Sequence, residues 1–77
     1  MRTLLEVRLP GCEDWLPAEL TDERSYGHPV VIVRDETIPR SPIEVYMIRA
    51  VHGTNDVLLE EARQAGYIVY HGEPMVV

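Results

Sequence analysis

The chain has 77 residues, seven of them basic and thirteen acidic, for a net charge of -6. That balance argues against direct binding to a nucleic-acid backbone or an anionic membrane surface, both of which are held through clustered Lys and Arg. Hydrophobic residues make up 45% of the chain in regularly broken runs, which supports a packed core rather than disorder and is too interrupted for a membrane span or a signal peptide.

A chain of this length is expected to form one domain over residues 1–77, burying about 60% of the surface its unfolded form exposes. Its single cysteine, Cys12, excludes an intramolecular disulfide and points to a reducing, cytoplasmic setting. The basic residues are all Arg.

In chain order, Thr3 to Leu9 alternates Leu5, Val7 and Leu9 against Glu6 and Arg8, a half-buried strand closed by a Pro10-Gly11 turn. Trp15 to Leu20 sets Leu16, Ala18 and Leu20 against Trp15, Pro17 and Glu19. Pro17 cannot donate to a ladder, so this strand is expected at a sheet edge or bulged at the proline. Residues 21–29 read as a polar connection. Pro29 to Arg34 is β-prone and apolar on both faces, the pattern of a central strand. Asp35-Glu36 reads as a tight reversal into Thr37-Ile38, and Pro39 and Pro42 then exclude helix and sheet interior.

Ile43 to Val51 is apolar on both faces and reads as one strand needing cover on each side. His52-Gly53-Thr54-Asn55 breaks it, and Thr54 or Asn55 can cap a following helix. Leu58, Leu59, Ala62 and Ala65 share one helical stripe, and Gly66 stands where a left-handed residue ends a helix. Tyr67 to Tyr70 is the next strand. Strand, helix, strand predicts two parallel strands joined by a right-handed crossover, the alternative being a final strand on another sheet or a partner chain.

The segments Trp15 to Leu20, Pro29 to Pro39 and Glu60 to Tyr67 together resemble the small SH3-like β-barrel domains of bacterial and phage proteins. The resemblance implies a fold and not a function. The expected class is α+β: a small, mainly antiparallel β-sheet or SH3-like partly closed barrel, with one C-terminal helix over about 54–65 packed on it and a closing strand over 67–71.

Five acidic side chains, Glu13, Asp14, Glu19, Asp22 and Glu23, fall in one stretch without Arg. They read either as a negative surface for a basic partner or as charges that keep an edge soluble. Trp15, with Tyr26 near it in sequence, reads as an exposed aromatic anchor, the alternative being that Trp15 closes one end of the barrel as core bulk in a chain without Phe. His28, His52, His71, Cys12 and Glu73 are zinc-ligand types without zinc-site spacing, so neither metal nor cofactor is expected. Cys12, Ser25 and Ser41 lack any motif that would set a base beside them, which argues for a non-enzyme. The apolar end Met75-Val76-Val77 reads as a last strand or as a strand offered to a second copy in a homodimer.

The expected function is a small acidic protein-interaction module. Its partner would be another protein, recognised through Trp15, Tyr26, Glu13, Asp14, Glu19, Asp22 and Glu23. One alternative is an inhibitor from a phage or mobile element that turns an acidic face against a nucleic-acid-handling enzyme. Another is a small metal-binding or enzymatic domain.

Overall fold

The structure, a computed structural model, describes residues 3–51 and 56–73. The elements are β1 (Thr3–Arg8), β2 (Leu16–Ser25), β3 (His28–Arg34), β4 (Ser41–Ile43), β5 (Met47–Ala50), α1 (Asp56–Ala65) and β6 (Ile68–Gly72). The strands form one open sheet in the order β4-β6-β3-β2-β1-β5, with every pair antiparallel except β3–β6. This is the expected α+β class, a mainly antiparallel sheet with a helix near the C-terminus.

Alternation puts one set of side chains inside. Leu5 and Val7 of β1 face Ala18 and Leu16 of β2, Ala18 and Leu20 face Val33 and Val31 of β3, and Val31 faces Val69 of β6. With Ile48 and Leu59 they make the core cluster. β3 is central as its composition requires, with Val30, Val31, Ile32 and Val33 all buried.

The segment read as one strand from 43 to 51 is divided. Ser41–Ile43 pairs with β6 at one edge of the sheet, and Met47–Ala50 pairs with β1 at the other. On a flat sheet those edges would lie about 24 Å apart, five strand spacings of about 4.8 Å. The four Cα steps from Ile43 to Met47 reach at most about 14 Å. The sheet must therefore curl until its edges approach, with Glu44-Val45-Tyr46 spanning the gap. Val45 packs on the core, Tyr46 is exposed, and the Tyr46 N–H donates to the Arg8 carbonyl at 2.7 Å. A strand that changes edges as it bends needs apolar residues on both sides, which is why it reads as doubly buried.

The expected parallel pairing across the helix is also overturned. Following strand senses through the sheet order, β5 and β6 run in opposite directions, and the parallel neighbour of β6 is β3. The helix carries the chain from one edge to a slot between β3 and β4.

β2 is neither an edge nor bulged at Pro17. Proline cannot occupy a hydrogen-bonded pair, so its pairing with Glu6 is the non-bonded kind, and the β3 ladder ends at Ala18↔Val33, one residue short of it. The irregularity falls instead between Leu20 and Arg24. There the Thr21 hydroxyl donates to the Val30 carbonyl at 2.9 Å and accepts from the Glu23 N–H. The supposed connection 21–29 is mostly strand: β2 continues to Ser25 and returns through Tyr26-Gly27. Their φ values of 53° and 81° have the signs of a type I′ hairpin turn.

Asp35 to Ile38 does turn, with the Ile38 N–H donating to the Asp35 carbonyl, but it leads into a loop rather than a strand. The helix stops as expected. Gly66 has φ 81° and its N–H donates to the Ala62 carbonyl at 3.0 Å, while His28 Nδ1 lies 2.9 Å from the Ala65 carbonyl. Leu59 and Ala62 are buried, whereas Leu58 is 46% exposed and Ala65 lies at the surface. The candidate caps Thr54 and Asn55, with His52, lie outside the described residues, as do Met75, Val76 and Val77.

Gly72 locks the 35–38 turn to β6. Its carbonyl accepts from the Asp35 N–H, and the Glu73 N–H donates to the Ile38 carbonyl. A Cβ on Gly72, at φ 121°, would sit 2.6 Å from the carbonyl oxygens of Ile38 and Pro39. Gly72→Ala should therefore lower unfolding free energy by about 2–4 kcal/mol in urea titration; Gly11→Ala, with open space around it, should cost less.

Hydrogen bonds from the Thr37 hydroxyl and N–H, with His71 at 3.4 Å, hold the Asp35 carboxyl below its ordinary 3.8. Because the folded value is the lower one, this stabilisation is complete above 3.8 and is lost as pH falls through the folded value. Urea midpoints measured between about pH 5 and pH 2 should fall less steeply for Asp35→Asn than for the native chain.

Candidate functional site

On the convex side of the curled sheet, β1 presents Leu4, Glu6 and Arg8, and the register sets Arg49 opposite Glu6 and Met47 opposite Arg8. Trp15 enters β2 just ahead of Leu16, the partner of Val7, which brings the indole beside Arg8. The Arg49 guanidinium lies 3.8 Å from the Trp15 ring centroid, and Arg8 lies 5.8 Å from Trp15 and 5.7 Å from Tyr46. These are cation–π contacts. Arg49 Nε also donates to Glu6 Oε1 at 3.1 Å, so it is held from two sides. Arg8 Nη2 donates to the Cys12 carbonyl at 3.3 Å, tying down the loop that carries Glu13 and Asp14. Among the described residues Arg8 Nε is buried without a hydrogen-bond partner.

Trp15 is thus half-buried, neither core bulk nor a free-standing anchor. Beside it, Tyr46 and Met47 are exposed. Arginine, aromatic rings and methionine on one face are the composition of protein-binding surfaces. With guanidinium groups already stacked on the indole, the patch favours packing against another surface over capture of a cationic ligand.

The other expected site residues are dispersed. Tyr26 is 93% exposed at the hairpin turn. The ten residues of β2 separate it from Trp15, about 30 Å of strand. Glu13 and Asp14 are exposed in the loop before β2, and Asp22 is exposed near the bulge. Glu19 is buried and ion-paired with Arg34, whose Nε donates to Glu19 Oε1 at 2.7 Å. Glu23 takes two bonds from Arg40, at 2.6 and 3.2 Å.

Arg40 also lies 4.2 Å from the Tyr70 ring centroid, and the Tyr70 hydroxyl is 3.0 Å from Ser25 Oγ. Hydrogen bonding to Glu23 raises the Arg40 pKa further above its ordinary value, against the opposing effect of burial. Since β3 lies between β2 and β6, Arg40 bridges across it. Outward-facing Ile32, set between Glu19 and Tyr70, is accordingly buried. Two of the five acidic residues therefore serve the fold.

Among the described residues no three His, Cys, Asp or Glu side chains converge as a metal site. Cys12 is a free, exposed thiol. Arg8, Arg49 and Tyr46 are the partners that sequence reasoning missed. Their only trace is alternation, which turns Arg8 outward; the neighbours follow from a register that the sequence does not state.

No family model, no curated protein and no solved structure matches this chain. The functional reading rests on its own geometry.

Trp15 is the only tryptophan, so its emission reports this face alone. Arg49→Ala should uncover one side of the indole, move emission to longer wavelength and cost about 0.5–1 kcal/mol of stability. An unchanged spectrum would contradict the stacking.

Proposed function

We propose that this chain is a small non-enzymatic protein-interaction module that contacts a partner protein through the Trp15 face, on an SH3-like partly closed barrel. The observation that carries the reading is Trp15 clamped by Arg8 and Arg49 beside exposed Tyr46 and Met47. An aromatic residue already held in place loses little conformational freedom on binding, and that is what makes rigid anchors effective. Glu13 and Asp14 form the acidic rim of that face. The barrel reading is supported by the bent segment from Ser41 to Ala50, which pairs at both edges of the sheet. A free, exposed Cys12 suits a reducing, cytoplasmic setting.

The test is affinity capture from source-cell lysate with the native chain, Trp15→Ala and Tyr26→Ala, washed at low and high salt. A partner that survives salt, loses about 30-fold or more in affinity with Trp15→Ala and is retained by Tyr26→Ala is the expected result. A basic, nucleic-acid-handling partner released by salt would favour the acidic inhibitor instead. Capture indifferent to Trp15 would sink the proposal.

A further inference from the structure

A second surface lies away from the Trp15 face. Between α1 and the bulged half of β2 runs a groove of about 400 Å³, within the usual range for ligand sites. Leu20, Pro29, Leu58 and Ala62 supply its apolar lining. The helix leaves Leu58 half uncovered because only Leu59 and Ala62 reach the core. The bulge draws β2 out of regular register beside it.

The charges on the two walls differ in what they already do. On the β2 wall, Glu23 is satisfied by Arg40, and Arg24 Nη1 donates to the Gly27 carbonyl at 3.3 Å. Asp22 on that wall and Glu61 on the helix wall are exposed and have no ion pair or side-chain hydrogen bond among the described residues. The groove is half apolar and half polar, and because a carbonyl does not neutralise Arg24, the two unpaired carboxylates on opposing elements outnumber one guanidinium; that balance matches a side chain with an aliphatic stem and a cationic head.

We propose that this groove binds a basic segment of a partner protein. An Arg or Lys of that segment lays its stem on Leu58, Leu20 and Pro29 and sets its charge between Asp22 and Glu61. The net charge of -6 steers such a segment toward the protein. Trp15 takes no part in this binding, so the groove can be tested apart from the aromatic face.

The full chain is titrated with acetyl-Ala-Leu-Arg-Leu-Ala-amide while backbone amide NMR shifts are followed. The control is the same peptide with citrulline in place of arginine, which keeps the shape and removes the charge. The expected result is saturable movement of amides in 22–24 and 58–65, weakened at least about fivefold by citrulline or by Asp22→Asn with Glu61→Gln. Both substitutions remove carboxylates without fold partners, so the unliganded amide spectrum should otherwise stay as it is. Absence of shifts, shifts confined to other regions, or equal binding of the citrulline peptide overturns the proposal. Shifts at these amides that grow with protein concentration alone would make a second copy the occupant and overturn it equally.

Discussion

The three residues Glu44, Val45 and Tyr46 constrain the whole molecule. They join strands at opposite edges of a six-stranded sheet, and so short a link can close only if the sheet is rolled. Rolling gives a 77-residue chain an inside. One face of β1, β2, β3, β5 and β6 converges on a common core with α1 laid against it, so a second sheet is not needed. It also creates the convex side on which Arg8, Trp15, Tyr46 and Arg49 meet, because Tyr46 is delivered to Arg8 by the same link.

Arginine chemistry is the second organising element. Arg34, Arg40, Arg49 and Arg63 each pair with a carboxylate, and Arg8, Arg40 and Arg49 also lie over aromatic rings. A planar guanidinium can stack and donate along its edge at once, which a lysine ammonium cannot do. Arg40 uses both capacities to bridge β2 and β6 across β3, and Arg49 uses both to hold Trp15 while bonded to Glu6. Arg63 acts differently, since its Nη2 donates to the Ile48 carbonyl at 2.7 Å and so ties the helix to the outer edge strand. A chain without lysine thus gains fixed geometry where lysine would give mobile charge.

What can be read from the residues divides along physical lines. The central strand is legible because four consecutive apolar residues, Val30 to Val33, fit only a site buried on both faces. The helix end is legible at Gly66 because a left-handed cap is a local requirement. The hairpin at Tyr26-Gly27 is not, since Thr-Asp-Glu-Arg-Ser reads as loop by composition and Tyr is a poor indicator of positive φ; the ladder with β3 overrides that preference. The two-edged strand is hidden because alternation reports which faces are covered and not by what. For the candidate site, Trp15 can be singled out by residue type, but its arginine partners come from β1 and β5 and depend on register.

The distribution of charge follows from the same geometry. Five acidic residues close together in sequence suggest one negative edge, yet a strand separates neighbours by alternation and by about 3.3 Å of rise per residue. Glu19 and Glu23 point to the convex side, where arginines from β3 and the β3–β4 loop reach them. Asp22, between them, is left on the wall shared with the helix. Pairing takes up Glu19 and Glu23, which arginines can reach, and among the described residues leaves Glu13 and Asp14 exposed before β2 and Asp22 exposed at the groove. The two surfaces therefore differ in chemistry: a stacked arginine-aromatic platform, with Glu13 and Asp14 in the loop tied to Arg8, on one side, and on the other a groove that mixes apolar side chains with Asp22 and Glu61.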